Sequence, residues 1–157
     1  MPHNHTIMAE RYHAITVAIL LGSALFLISA WIHLWLIGLA KITLRSSRPG
    51  AIRLSVSYLI ILASHLLIAS LFAAGFFLAA QVGLGGFESP VLDSWMDLFY
   101  FSLINITTLG LGDIYPTGHL RAITGIESLT GFLLISCTAQ FVYATMNKEE
   151  RLYAKRS

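Results

Sequence analysis

Long apolar runs separated by short polar segments dominate the pattern of this chain. Residues 14–40 and 54–80 contain no acid, lysine or arginine, and Arg121 and Glu127 are the charged residues within 118–146. A helix of about 20 residues crosses the hydrocarbon core of a bilayer, which is about 30 Å thick. Each run is long enough, so the pattern predicts an all-α membrane protein with three transmembrane helices.

A shorter amphipathic segment lies between the second and third runs. The glycine-rich turn at residues 83–86 ends the second run, and Asp93 or Ser94 is placed to cap a helix over residues 94–106. This helix is too short to span a membrane, so we expect it to enter the bilayer and return through the loop that follows. The negative, C-terminal end of its dipole then points into the membrane, where it favours a cation.

The loop over residues 107–113 reads Thr-Thr-Leu-Gly-Leu-Gly-Asp. Non-helical backbone at membrane depth is tolerated only where it is buried in protein or lines a water-filled path. Alternating glycines leave the backbone free to turn its carbonyl groups inward, and rings of carbonyl oxygens replace the hydration shell of K⁺ in channel filters. The pattern therefore predicts an ion-conducting pore; a tight structural turn is the alternative.

Composition and charge agree with membrane insertion and give a direction. Hydrophobic residues make up 56% of the chain and charged residues 11%, whereas soluble domains carry about a quarter charged residues. The linker 41–53 is basic and contains no acid, residues 84–119 contain four acids and no lysine or arginine, and the tail 148–157 contains four basic residues. Because short basic segments stay in the cytoplasm, we expect the N-terminus outside and the C-terminus inside, in the plasma or inner membrane.

These patterns divide the chain into segments. The division predicts an external N-terminus at 1–13, an additional transmembrane helix at 14–40, a cytoplasmic linker at 41–53, a pore domain at 54–147 and a cytoplasmic tail at 148–157. Within the pore domain we predict an outer helix at 54–80, a pore helix at 94–106, a filter at 107–113 and an inner helix at 118–146.

Residues 95–143 resemble the pore module of the potassium channel superfamily. The filter of that family reads T-x-G-Y-G-D, and residues 108–113 match it at every position except Leu111. The preceding Thr107 completes the family's doubled threonine, and Tyr115-Pro116 matches its exit from the filter. With residues 54–80 as the family's outer helix, the resemblance covers about the last two-thirds of the chain. It implies a homotetramer, because one loop supplies a quarter of each ring. The helix 14–40 is additional to the family's two-helix core.

The resemblance also implies roles for individual residues. The carbonyls of Thr108, Leu109, Gly110 and Leu111 would coordinate K⁺, with the Thr108 hydroxyl at the innermost site. The residues implied to support the filter are Tyr100 and Phe101, as an aromatic cuff, together with Asn105 and Glu127. The residues implied for the gate and cavity are Gly131, near the family's hinge glycine, and Phe132, Ile135 and Ala139, whose helical spacing is equally compatible with lipid contact.

Leu111 is the departure from the family pattern. Tyrosine at this position donates a hydrogen bond to the aromatic cuff and holds the filter at one diameter, which leucine cannot do. The substitution leaves two alternatives to a potassium-selective channel: a weakly selective cation channel, and a non-conducting membrane sensor or scaffold with a channel-like fold. It also allows the filter itself to act as a gate, besides the inner helix near Gly131 and the first helix.

Several ionisable residues are candidates for pH sensing. Glu127 lies inside the third helix, where it would brace the filter or sense protons, or else bond a hydroxyl, an amide or Arg121. His33 and His65 lie about 12 and 18 Å from the cytoplasmic edge at about 1.5 Å per residue. They are candidates for a proton sensor or a metal pair, or for hydrogen bonds across a helix contact. A protonated His119 at the outer mouth would oppose cation entry.

The sequence thus predicts a homotetrameric potassium-selective channel in the lipid bilayer. Conduction down the electrochemical gradient requires no catalytic chemistry, so we expect no enzyme activity. We also expect no cofactor besides K⁺ as permeant ion, no nucleic-acid partner and no soluble protein partner.

Overall fold

The computed structural model describes residues 3–46, 49–88 and 94–154. Within those residues the chain forms four helices and two short strands. The helices are α1 (His3–Thr43), α2 (Gly50–Gln81), α3 (Trp95–Ile106) and α4 (Leu120–Ala154), and the strands are β1 (Phe87–Glu88) and β2 (Tyr115–Pro116).

Three of the helices, α1, α2 and α4, are long and apolar enough to cross a membrane. The all-α membrane fold predicted from the apolar runs is therefore confirmed. All three helices extend beyond the bounds that the runs suggested, and α2 begins at Gly50. The helix α1 begins at His3 because neither glycine nor proline interrupts residues 3–13, and α4 continues to Ala154 because residues 147–154 contain neither.

The helix α1 packs along both α2 and α4 through a narrow stripe of buried residues. Small residues permit the close approach: a Cβ atom built on Gly22 would lie 2.6 Å from Cδ1 of Ile126 in α4. Large apolar side chains such as Leu27, Trp31 and Trp35 are exposed on the rest of the helix. This surface suits lipid tails, so α1 is an integral part of the bundle with a lipid-facing side.

An aromatic cluster holds α3 against α2. The rings of Phe76, Phe87 and Phe101 meet edge to face, with centroids 5.0 to 5.7 Å apart. Such pairs contribute about 0.5–1.5 kcal/mol each beyond the burial of their surface. The cluster fixes the short helix α3 against the outer helix, and thereby fixes the position of the loop that follows it.

The strands β1 and β2 form an antiparallel ladder that the sequence pattern did not predict. Phe87 pairs with Pro116 and Glu88 with Tyr115. Two further backbone bonds extend the tie, from Thr117 N–H to the Gly86 carbonyl at 2.8 Å and from His119 N–H to the Leu84 carbonyl at 2.7 Å. The segment that leaves the loop is therefore attached to the segment that leaves α2.

Candidate functional site

A capping box defines the start of α3. The Ser94 side chain accepts a hydrogen bond from the Asp97 N–H at 3.4 Å, and the Asp97 carboxylate accepts one from the Ser94 N–H at 2.9 Å. Both orphan donors are satisfied, and the acidic side chain sits at the positive end of the helix dipole. Of the two caps considered, the structure uses Ser94; Asp93 lies outside the described residues.

The other end of α3 closes with a Schellman motif. The Leu109 N–H bonds to the Ile104 carbonyl and the Thr108 N–H to the Asn105 carbonyl, both at 2.9 Å. The residue at the left-handed position of this motif is Thr108, with φ of 58°. Glycine is the usual residue there because a side chain costs about 1–2 kcal/mol. A threonine kept in this conformation marks the loop as a candidate functional site.

Left-handed residues alternate along the loop. Thr108, Gly110 and Gly112 have φ of 58°, 51° and 75°, and the residues between them do not have positive φ. Alternating right- and left-handed conformations place successive N–H groups on one side of the chain, which leaves successive carbonyl groups on the other. Positive φ at every second residue is compatible with a row of carbonyl oxygens on one side of the loop.

Tyr100 ties α3 to the far end of this loop. Its hydroxyl donates a hydrogen bond of 2.8 Å to the Asp113 carboxylate. That bond, together with partial desolvation, raises the pKa of Tyr100 above its usual value of 10.0. The second member of the expected aromatic cuff, Phe101, lies in the cluster with Phe76 and Phe87 described above.

Glu127 is fully buried between α2, α3 and α4 and bonds to Ser102. The Ser102 hydroxyl also contacts the Ala69 carbonyl at 2.7 Å. A hydroxyl has one hydrogen to donate. Both contacts are hydrogen bonds when Ser102 donates to Ala69 and a protonated Glu127 donates to Ser102. The partner of Glu127 is thus the Ser102 hydroxyl, and a hydroxyl partner is one of the alternatives that the sequence analysis gave for this residue. The other carboxyl oxygen, Oε2, has no hydrogen-bond partner among the described residues.

Gly131 lies where α4 crosses the end of α3. A Cβ atom built on Gly131 would overlap the carbonyl oxygen and carbon of Ile106. The glycine therefore permits backbone-to-backbone contact between the inner helix and the base of the loop. Asn105, which was also assigned to filter support, is the residue before Ile106 in the sequence. Its side chain is buried, and its Nδ2 has no hydrogen-bond partner among the described residues.

A family model described as an ion channel matches residues 59–148, which is more than half of the chain. The chain belongs to the ion channel family. The matched region contains most of α2, all of α3 and the loop, and most of α4, so the two-helix pore module of the potassium channel superfamily, recognised from the filter motif, is confirmed. The channel is an integral membrane protein.

A curated relative agrees with this membership over a short segment. The channel is 48% identical over 33 residues to "Potassium channel K2" of Plasmodium berghei (strain Anka). The segment is 21% of this chain and 2% of the relative. No solved structure matches the chain.

The predicted cavity residues lie on an open face of α4. Phe132, Ile135 and Ala139 are exposed in the single chain, whereas Gly131 and Leu134 are buried against the other helices. Their face is available to line a cavity or to contact lipid, as the sequence analysis allowed. Gly131 instead lies on the side of α4 that packs against α3, where it contacts the Ile106 backbone.

The structure brings His33 and His65 together and leaves His119 apart. The two rings are 5.0 Å apart, centroid to centroid. His33 is fully buried, with Nδ1 2.8 Å from the Ser64 hydroxyl and Nε2 3.3 Å from the Thr138 hydroxyl. No group of three metal-ligating side chains occurs among the described residues. His33 thus makes hydrogen bonds across helix contacts, one of the alternatives considered for the pair, whereas Nδ1 of His65 lies 2.9 Å from the Ile61 carbonyl within α2.

Two functional contacts were missed in the sequence, and each had a signal. Ser102 is polar in an otherwise apolar stretch of α3 and lies three residues before Asn105, so both side chains fall on one face of the helix. A polar face on α3 could have been predicted to form a hydrogen bond with Glu127 of the third helix. The Tyr100–Asp113 bond had no such signal, because it depends on the path of the loop between them.

Proposed function

We propose that the chain forms a homotetrameric, potassium-selective channel in which K⁺ passes down its gradient through carbonyl rings. The alternation of left-handed residues at Thr108, Gly110 and Gly112 is the observation that carries the proposal. In this geometry the carbonyl oxygens of residues 108–111 would line a common axis, and the Thr108 hydroxyl would add the innermost ligands. Oxygen rings of this kind replace the hydration shell of K⁺.

The exposure of the loop supports assembly around an axis. Residues 107–113 are all exposed in the single chain, including the apolar Leu109 and Leu111, which are 62% and 57% exposed. An apolar loop at membrane depth needs protein around it or a path to line. Four copies would bury these side chains against one another and close the rings.

Local charge supports a cation as the permeant ion. Residues 84–119 contain four acids and no lysine or arginine. The C-terminal end of α3, with its partial negative charge, meets the base of the loop. In the proposed orientation these residues face outward, with the basic linker and the C-terminus in the cytoplasm.

Leu111 supports a second candidate, a weakly selective monovalent cation channel. Its aliphatic side chain cannot donate a hydrogen bond to α3. The Tyr100–Asp113 bond makes a comparable tie two residues further along. The two candidates therefore differ in whether that tie is sufficient to hold the ring diameter.

Reconstituted protein tests the proposal. In proteoliposomes and planar bilayers with mixed K⁺ and Na⁺, we expect current whose reversal potential follows K⁺. A reversal potential near zero in opposing K⁺ and Na⁺ would favour the weakly selective channel, and no flux at any pH would favour the non-conducting sensor or scaffold. Native mass spectrometry of the same sample should give four copies; a monomer or dimer would contradict the assembly.

Gly110→Ala tests the filter, with Gly38→Ala as the matched control. A Cβ atom meets nothing within 4 Å at either position, but Gly110 has φ of 51° whereas Gly38 lies within α1. The first substitution should abolish current and leave the tetramer intact, because only the loop conformation is strained. The control should conduct normally. Unchanged current in Gly110→Ala would remove the filter assignment.

A further inference from the structure

A groove with a volume of about 660 Å³ opens between the last turns of α1 and the second half of α4. Its wall is largely apolar and includes Leu34, Ile37, Leu133 and Phe141. Lys41 and Arg45 also line it. The groove thus combines an apolar trough with a cationic end.

The two cations lie at the membrane-edge end of the groove. Lys41 is in the last turn of α1, and Arg45 lies in the turn that follows it. Both are exposed, and neither forms an ion pair with an acid in the described part of the chain. Leu34 lies about 10 Å deeper along α1 at about 1.5 Å per residue. The polarity therefore changes along the bilayer normal, in the order in which a phospholipid changes from headgroup to acyl chain.

We propose that this groove binds one anionic phospholipid from the leaflet on the side of the basic linker. The acyl chain lies in the apolar trough, and Lys41 and Arg45 bind the phosphate and the net negative headgroup. Both charges and the surrounding apolar wall match that ligand, whereas a free phosphate would leave the trough unfilled. Basic side chains near a membrane surface attract anionic lipid by about 1 kcal/mol each, which is about fivefold per charge.

The bound lipid would join the additional helix to the inner helix. The groove wall on α4 extends from Leu133 to Thr145, and the wall on α1 extends from Leu34 to Lys41. Filling the groove gives both helices a packing partner that the protein alone does not supply. The proposal rests on membrane insertion and not on conduction, so a channel with a disabled filter should bind the lipid equally well.

A lipid titration tests the headgroup contact. Purified tetramer in mild detergent is titrated with phosphatidylglycerol or phosphatidylcholine of identical chains, and bound lipid is counted by native mass spectrometry. The double variant Lys41→Gln/Arg45→Gln should bind phosphatidylglycerol about 25-fold more weakly, with phosphatidylcholine unchanged. The control Lys148→Gln/Arg151→Gln removes the same charge from the C-terminal part of α4 and leaves Lys41 and Arg45 in place, and should stay within about twofold. Equal losses in both variants would overturn the proposal, because they would indicate a diffuse charge effect.

The single cysteine provides an independent readout. Cys137 is exposed and lines the groove, so phosphatidylglycerol in nanodiscs should slow its reaction with a maleimide in the wild-type channel and not in Lys41→Gln/Arg45→Gln. Equal protection by glycerol phosphate or inorganic phosphate would overturn a lipid in favour of a simple anion site. Filling the trough with Ala144→Trp should abolish the protection while the number of subunits stays the same.

Another outcome would indicate that a second copy of the chain, and not a lipid, occupies the groove. If Ala144→Trp changes the number of subunits and phosphatidylglycerol gives no protection, the groove is a contact between copies of the chain and the lipid proposal is wrong. Current measured on the same preparations reports the proposed function separately. Lipid binding without current would contradict the channel proposal alone.

Discussion

The hydroxyl of Tyr100 donates a hydrogen bond to the carboxylate of Asp113 across the whole length of the loop, at 2.8 Å. Tyr100 belongs to α3, and Asp113 is the last residue of the filter motif. The loop is therefore held at its base by the Schellman motif and at its outer end by a side chain of the same helix. Residue 111, the remaining point of attachment in the family, has no polar side-chain atom to contribute.

Tyr100→Phe tests this tie. Removing the hydroxyl frees Asp113 and the outer end of the loop, so we expect lower selectivity for K⁺ over Na⁺ and faster loss of current during prolonged opening. Bilayer recordings measure both quantities. Tyr115→Phe is the control, since Tyr115 is another exposed tyrosine next to the loop and its hydroxyl makes no hydrogen bond in the described part of the chain. Equal effects of the two substitutions would contradict the assignment.

The hydrogen bond between Tyr100 and Asp113 should persist to unusually high pH. The bond to Asp113 raises the pKa of Tyr100, so folding stabilises the neutral phenol. This contribution is fully present below the ordinary tyrosine pKa of about 10 and is lost as pH rises through the higher folded value. The difference between wild-type and Tyr100→Phe channels should therefore stay constant from about pH 8 to 10 and be lost only at higher pH, where the phenol of the folded channel ionises. A difference that disappears already at pH 9 would exclude this bond as its cause.

Gly131→Ala should prevent correct packing of α4 on α3. The added methyl group would overlap the Ile106 carbonyl, which is backbone and cannot rotate away. Overpacking of this kind costs about 1–3 kcal/mol or more, and the displaced carbonyl lies at the base of the filter. Thermal denaturation of the tetramer measures the loss. Gly125→Ala in the same helix, where a Cβ atom meets nothing within 4 Å, should be neutral or slightly stabilising.

Glu127→Gln should be tolerated, and Glu127→Ala should not. A glutamine amide can donate to Ser102 in the way that a protonated carboxyl does, whereas alanine leaves Ser102 without this partner and creates a cavity between three helices. We expect the alanine variant to lose about 1–3 kcal/mol of stability. Tetramer melting and K⁺ flux should show normal values for glutamine. A glutamine variant as unstable as alanine would indicate that Glu127 is ionised in the channel.

Much of the fold could be predicted because its causes are local in sequence. Charge-free runs of more than 20 residues require membrane helices, and Ser94 three residues before Asp97 is a capping box that begins α3. Gly110 and Gly112 predicted a loop whose backbone is free to turn, and both residues adopt a positive φ that favours glycine. In each case the residues that determine the structure are neighbours in one continuous segment of the sequence.

The remaining features depend on tertiary contacts that spacing does not encode. Gly131 was assigned a hinge role from its place in the motif, and its contact with Ile106 became visible only once α4 was packed on α3. The pairing of Ser102 with Glu127 joins residues on different helices. Thr108 adopts the left-handed conformation without being glycine, which no propensity argument predicts. The role of α1 was likewise open, since its buried stripe is defined by neighbours on two other helices.

A double-mutant cycle on His33 and Thr138 tests whether α1 is coupled to the inner helix. The ring Nε2 of His33 lies 3.3 Å from the Thr138 hydroxyl, and Nδ1 remains bonded to Ser64 when Thr138 is replaced. Interhelical hydrogen bonds in membranes average about 0.6 kcal/mol in such cycles. We therefore expect His33→Ala and Thr138→Ala to be non-additive by about that amount in the free energy of unfolding, measured in mixed detergent micelles.

The control cycle pairs His33→Ala with Thr124→Ala, since the Thr124 hydroxyl bonds within α4 to the Leu120 carbonyl. These two substitutions should be additive within about 0.3–0.5 kcal/mol. If the His33–Thr138 cycle is equally additive, the bond carries no energy and α1 is held to α4 by packing, as at Gly22 and between Ile37 and Phe141. If it is non-additive and His33→Ala also shifts the voltage or pH at which current appears, the additional helix acts on the gate through this contact.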